Sequence, residues 1–172
     1  MREDGTSRAV LLLLAAVAAF QLLHYYPQMP ERMVVHFAAS GEPNGWSDRL
    51  SFFVLFSIFE AVVVALGLAL PAILNAIPAS FVNIPNSHYW LAPERREDTV
   101  AFLRRHILWI ESATLLFLIA IAQMVFTINL GGAERRLPGD FWIVLAAFVA
   151  VVVGLVARIF LRFRREPALP GG

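Results

Sequence analysis

The sequence predicts an all-α integral membrane protein that crosses the bilayer four times as a single domain of 172 residues. Hydrophobic residues make up 59% of the chain and charged residues only 16%, whereas a soluble domain has about 45–50% and 25%. The apolar residues also form four long blocks, each close to the ~20 residues that a helix needs to cross a bilayer. Because backbone groups in lipid must satisfy their own hydrogen bonds, each block is expected to be helical.

The predicted spans cover residues 9–26, 50–77, 106–130 and 141–163. The first contains no formal charge and follows two arginines, an arrangement that also fits a signal peptide cleaved near Ala18. Acidic residues within that basic segment, and an apolar run that continues past Ala18, favour a retained first helix.

The distribution of arginine predicts the orientation. Ten arginines lie in the N-terminal tail, the connection 78–105 and the C-terminal end, which share one side of the predicted bundle. Four lie on the other side. The positive-inside rule therefore places both termini in the cytoplasm and the loop 27–49 outside. Tryptophans and tyrosines near the span ends support the same boundaries.

The two longest connections have different predicted structures. In the outer loop, residues 33–37 form the one short β-like run in the chain, and residues 42–45 contain an Asn-Gly pair typical of a turn. Ser47 or Asp48 is expected to cap the second helix. In the cytoplasmic connection, Pro93 is followed by acidic residues, which predicts a helix that runs without a break into the third span.

A set of motifs in these connections resembles a known family. The loop motif consists of Pro27 and Pro30, then His36-Phe37, then Gly41-Glu42-Pro43-Asn44-Gly45-Trp46; a second stretch runs from Asn83 to Arg96. Together they resemble an uncharacterised bacterial membrane family, domain of unknown function 1648. That domain also forms the N-terminal part of SdpI-type immunity proteins. The resemblance covers roughly residues 9–130 and implies a polytopic protein of a bacterial inner membrane. SdpI-type proteins continue into a further multi-helix domain, whereas this sequence ends after the fourth span.

Glu60 is the most unusual residue within a span. It lies ten residues after Leu50, or about 15 Å along the helix axis, near the middle of the bilayer. A carboxylate there costs about 2.5–3.5 kcal/mol on insertion scales, so it is expected to be protonated, paired or facing a wet cavity. One interpretation is a proton, cation or ligand site. The other is a neutral Glu60 that hydrogen-bonds to Ser57 or to a neighbouring helix.

Glu111 and Arg158 lie at similar predicted depths near the cytoplasmic boundary, so the sequence predicts a structural ion pair between them. In the alternative, Arg158 extends to the headgroups and Glu111 contacts its own helix neighbours. Arg162, Arg164 and Arg165 are expected to determine topology or to contact anionic lipid.

Several function classes are not expected. The chain has no cysteine, no His-Glu-x-x-His run and no nucleophile or phosphate-binding motif, so neither an enzyme, a metal site nor a cofactor is predicted. A formal net charge of +1 without a basic face argues against nucleic acid.

Two functional hypotheses therefore follow. The first is an immunity, sensing or accessory module in which the outer loop recognises a protein or peptide. Its expected contact residues are His36, Phe37, Pro43, Gly45 and Trp46. The alternative is an ion- or proton-coupled transporter component that uses Glu60 and Glu111. Because four helices make a thin transport path, the second hypothesis favours a homo-oligomer.

Overall fold

A computed structural model describes residues 2–131 and 135–165; the rest of the predicted single domain lies outside the described residues. The elements follow in the order α1 (Arg2–Tyr25), β1 (Arg32–Phe37), β2 (Pro43–Asp48), α2 (Arg49–Ala76), α3 (Ser87–Trp90), α4 (Pro93–Leu130) and α5 (Asp140–Phe163). Four of these helices, α1, α2, α4 and α5, are long and apolar enough to cross a membrane. The four predicted helices are confirmed, while the strands make the chain mostly helical rather than all-α.

Helix α4 is the centre of the bundle, because it packs against α1, α2 and α5. It has 38 residues, which at 1.5 Å per residue is about 57 Å and exceeds the ~30 Å of a hydrocarbon core. Pro93 occupies its first turn and the helix continues unbroken to Leu130, as the sequence predicts. In contrast, α5 buries only Phe163 and exposes most of its apolar side chains.

The strands β1 and β2 form an antiparallel hairpin. Strand β1 includes the run predicted to be β-like, but the predicted turn is misplaced. The chain reverses at residues 38–42, where the Ala38 amide donates to the Glu42 carbonyl over 2.9 Å and Gly41 has φ +83°. A left-handed conformation favours glycine, so Gly41 rather than the Asn-Gly pair supplies the turn. Asn44 and Gly45 instead belong to β2.

The second helix begins directly after the hairpin. The Asp48 carboxylate accepts a hydrogen bond from the Ser51 amide over 2.8 Å, which is the geometry of an N-cap. Hydrogen bonds from Ser51 lower the pKa of Asp48 below its ordinary value. Of the two predicted caps, the structure uses Asp48.

The two ends of the bundle carry different connections. At the hairpin end, the amide of Leu137 donates to the Gly41 carbonyl over 3.0 Å, so the segment before α5 lies beside the hairpin turn. At the opposite end, called the α3 end, Asn86 and Trp90 side chains both donate to the carbonyl of Phe163 over 3.1 Å. These bonds satisfy a carbonyl at the C-terminus of α5 that no intrahelical donor reaches.

Candidate functional site

A buried side chain, Asn129 on α4, hydrogen-bonds the hairpin to the bundle. Its Oδ1 accepts from the Val34 amide over 2.8 Å, and its Nδ2 donates to the Val34 carbonyl over 2.9 Å. The amide thus pairs with both backbone groups of one β1 residue, as a neighbouring strand would. Because Asn129 and Val34 are both buried, the hairpin has a defined position on the end of α4.

His36 and Gly45 face each other across the hairpin. A Cβ at position 45 would lie only 2.7 Å from the Cβ of His36, so a larger residue there would displace the histidine. The Nδ1 of His36 also contacts the side-chain Oδ1 of Asn44. Since a carboxamide oxygen only accepts, the imidazole donates from Nδ1 and keeps Nε2 for other contacts.

The other predicted contact residues occupy the rest of the hairpin. Phe37 is half-buried and pairs with Pro43 beside the turn. Trp46 is 50% exposed, and the Arg32 guanidinium lies 5.4 Å from the centre of its ring. The structure therefore places all five predicted residues on one hairpin, with His36 and Trp46 accessible.

An apolar cavity of about 480 Å³ lies between the hairpin, α4 and the start of α5. His36 and Phe37 form part of its wall, whereas Pro43, Gly45 and Trp46 lie outside it. Most of the remaining wall is aliphatic or aromatic: Val35, Ile121, Met124, Val125, Ile128, Leu137, Phe141, Trp142 and Leu145. Near the turn, an ion pair between Glu42 and Arg136 links the hairpin to the segment before α5. The volume falls within the range of small-ligand sites.

Glu60 lies in a second apolar cavity, of about 510 Å³, between α1 and α2. The side chain is buried, and its Oε1 has no hydrogen-bond partner among the residues that the structure describes. Ser57 lines the same cavity, but the described contacts include no hydrogen bond between the two side chains. Burying a carboxyl oxygen without a hydrogen-bond partner is energetically costly, and ionisable residues of this kind are rare within membrane spans.

The predicted ion pair between Glu111 and Arg158 is not formed in the described part of the chain. Glu111 faces α2, where its Cβ would be 3.2 Å from a Cβ built on Gly67. Arg158 lines a cleft between α4 and α5 together with Trp109. Glu111 follows Trp109 by two residues, or about 200° around the helix, and so points away from α5. Glu111 and Arg158 therefore lie at similar depths, but their side chains point in different directions.

Sequence reasoning missed a polar chain inside the bundle. Gln21 on α1 donates from Nε2 to Gln123 Oε1 on α4 over 2.9 Å, and Gln123 donates to the Tyr25 hydroxyl over 2.9 Å. Such amide bonds join apolar helices in a membrane. The signal was present in the sequence, since Gln21, Gln123 and Asn129 are uncharged polar residues within apolar spans.

The described residues contain no cluster of candidate metal ligands. Across residues 2–131 and 135–165, no group of three or more His, Asp or Glu side chains is arranged to hold a metal ion.

Comparisons with known proteins match a family model to the hairpin region and a relative to most of the chain. A family model described as a domain of unknown function (DUF1648) matches residues 10–59, which include most of α1, the hairpin and the first part of α2. An uncharacterised protein from Archaeoglobus fulgidus is 28% identical over 151 residues, covering 84% of this chain and 82% of its own length. No solved structure matches. The hairpin and its motif residues thus lie within the stretch that is similar to a domain of unknown function.

Proposed function

We propose that this chain is a multi-pass protein of a bacterial cell membrane that recognises a protein or peptide partner at its hairpin end. The observation that carries this proposal is the apolar cavity of about 480 Å³ beneath the hairpin, whose wall includes His36 and Phe37. The chemistry of the wall suits an apolar side chain or a short apolar segment, with the His36 imidazole available for one polar contact. Binding rather than catalysis is the expected activity.

The distribution of arginine supports the proposed orientation in the membrane. Ten arginines lie on the side of the termini and four on the hairpin side, which favours cytoplasmic termini and an external hairpin. The cavity would then open at the outer leaflet, where a secreted peptide arrives. An immunity, sensing or accessory role of the SdpI type is consistent with this location.

Photocrosslinking tests the recognition site. The photoreactive residue p-benzoylphenylalanine is placed at Phe37, in the cavity wall, and separately at Ile143, which is 70% exposed on α5. In membranes of the source organism, we expect the Phe37 position to give a discrete polypeptide adduct that is weakened by His36→Ala. The Ile143 position is the matched control and should give lipid adducts alone. Lipid adducts alone at both positions would refute the proposal.

A second candidate function is supported by Glu60. Its unpartnered Oε1 in a cavity between α1 and α2 is the arrangement expected of an ion- or proton-coupled transporter component, for which a homo-oligomer would supply the remaining path. Glu111 is a weaker participant because it packs against Gly67. Purified protein in liposomes with an internal pH dye separates the two functions. Proton flux that Glu60→Gln abolishes and Ser57→Ala preserves would favour transport over recognition.

A further inference from the structure

The cavity that holds Glu60 is a groove between one face of α1 and one face of α2, and we call it the Glu60 groove. On α2 its lining residues recur every three or four positions from Phe53 to Ala65, which is one side of a helix. They extend over about 18 Å of the helix axis at 1.5 Å per residue. On α1 the lining runs from Ala15 to Leu23. The groove is thus a separate space from the cavity beneath the hairpin.

Small side chains leave the groove open toward the bilayer. Ala15 and Ala19 lie one turn apart on α1, and Ala61 and Ala65 lie one turn apart on α2. Ala19, Ala61 and Ala65 are exposed, so a molecule dissolved in lipid can enter the groove from the side. A volume of about 510 Å³ falls within the range of small-molecule sites, which have mostly apolar walls and a few polar groups.

The carboxyl group of Glu60 has hydrogen-bonding capacity that the described residues do not use. Its side chain is only 6% exposed. Oε1 is fully enclosed without a partner, and the hydrogen bonds of the described residues include none to Oε2. Because Oε2 is not enclosed in the same way, it is the oxygen that a molecule in the groove can reach. The groove therefore combines apolar walls with one unused acceptor.

The charge of the groove favours a cationic ligand. Among the described residues that line it, Glu60 is the only ionisable one, so none of them supplies a positive charge. Acidic groups within membrane spans are costly unless an opposite charge pairs with them, and a ligand can carry that charge. Ser57 lies three residues before Glu60 and lines the same groove, where its hydroxyl oxygen offers a second acceptor. An ammonium group has N–H donors for both oxygens.

We propose that the Glu60 groove binds a lipid-soluble amine that enters from the bilayer. Its ammonium group donates to Glu60 Oε2 and to the Ser57 hydroxyl oxygen, and its apolar body lies against the alanine pairs of α1 and α2. An alcohol of the same shape would donate one hydrogen bond but bring no charge, so the groove should prefer the amine. Binding of this kind requires neither a partner at the hairpin nor proton flux, and it can be tested apart from both.

Equilibrium binding to the full-length protein in phosphatidylcholine nanodiscs tests this proposal, with binding to empty nanodiscs subtracted. Two radiolabelled probes share one compact apolar cage: 1-aminoadamantane, which is a cation at neutral pH, and the uncharged 1-adamantanol. We expect wild type to bind the amine saturably and about tenfold more tightly than the alcohol. Glu60→Gln keeps a carbonyl oxygen but loses the charge, and it should bind the amine no more tightly than the alcohol.

Two further variants separate the site from net charge and from folding. Glu97→Gln removes an exposed carboxylate in the first turns of α4 and should bind the amine as wild type does. Ala61→Phe fills the groove but keeps the Glu60 carboxyl, and it should bind neither probe. Because Ala61 is exposed, its replacement is compatible with the fold.

Several results would overturn the proposal. Absence of saturable amine binding to wild type would remove the site. Equal affinity of wild type for the amine and the alcohol would remove the carboxyl from recognition, as would unchanged amine binding in Glu60→Gln. Unchanged amine binding in Ala61→Phe would place the amine outside the groove. An equal loss in Glu97→Gln would reduce the effect to net charge.

Discussion

Replacing Asn129 by leucine should weaken the docking of the hairpin on the bundle while leaving the helices in place. The Asn129 side chain accepts from the Val34 amide over 2.8 Å and donates to the Val34 carbonyl over 2.9 Å, in a site where both residues are buried. Leucine keeps a similar volume but makes neither bond. The substitution therefore leaves a buried donor and a buried acceptor of the backbone without partners.

The size of the effect follows from those two groups. A buried polar group left unsatisfied costs about 1–3 kcal/mol, so the docked state of the hairpin should lose about 2–6 kcal/mol. Since 1.4 kcal/mol is a factor of ten, even the lower value increases local opening about 30-fold. The intrahelical bond from Asn129 to the Val125 carbonyl, 2.8 Å long, contributes less because that carbonyl also receives a helix bond.

Amide hydrogen exchange in detergent measures this opening directly. We expect residues 32–37 to exchange at least about 30-fold faster in Asn129→Leu, with α1 and α4 unchanged. Thr127→Val is the matched control, because Thr127 is exposed and its hydroxyl donates only within the helix, to Gln123. Unchanged exchange of β1 in the leucine variant, or equal acceleration in the control, would refute the docking role of Asn129.

Three further predictions concern thermal unfolding in detergent. Gly45→Ala should destabilise the protein by about 1–3 kcal/mol because its Cβ would lie 2.7 Å from the facing His36. The control Gly139→Ala has nothing within 4 Å of its Cβ and should stay within about 0.5 kcal/mol of wild type. Equal unfolding midpoints for the two variants would contradict this prediction. Gly67→Val should lower the midpoint because a Cβ there lies 2.6 Å from an α1 side chain and 3.2 Å from an α4 side chain, and Gly154→Val, in open space, should not. The pKa of Asp48 is lowered in the folded state, so its capping contribution to stability is present above the unfolded pKa of about 4 and is lost as the pH falls through the lower folded pKa. The difference in unfolding midpoint between wild type and Asp48→Ala should therefore narrow in acid. A constant difference from pH 7 to pH 3 would argue against the cap.

The four long helices were predictable from the sequence because each contains an uninterrupted apolar run, whereas the start of α1 at Arg2, before its apolar run, was not. The helix starts at Pro93 and after Asp48 were also predictable, because a helix start depends on local hydrogen bonding. The position of the hairpin turn was not predictable. Asn44-Gly45 has the stronger local turn signal, but Gly41 adopts the left-handed conformation, and Gly45 is needed where His36 approaches. Two glycines four residues apart served different purposes that the local pattern could not separate.

The candidate sites were harder to predict because they depend on direction as well as depth. Helical rise gives the level of Glu111 and Arg158, but which face of α4 meets α5 is decided by packing of the whole bundle. The role of Asn129 was not predictable for the same reason, because its partner Val34 is 95 residues away in the chain and the two meet only through the packing of the bundle. Glu60 was identifiable as an isolated charge in an apolar span, yet the absence of a partner for Oε1 among the described residues emerges only when α1 and α2 are packed together.

In the proposed function, the hairpin and its cavity face the outside of the cell and the α3 end faces the cytoplasm. Because the chain has no cysteine, a single introduced cysteine is a unique label. Ser40→Cys lies exposed in the hairpin turn, and Asn83→Cys lies exposed near the α3 end. With a membrane-impermeant maleimide, Ser40→Cys should react in intact cells and Asn83→Cys only after permeabilisation. The reverse pattern, or equal labelling of both positions in intact cells, would contradict this orientation.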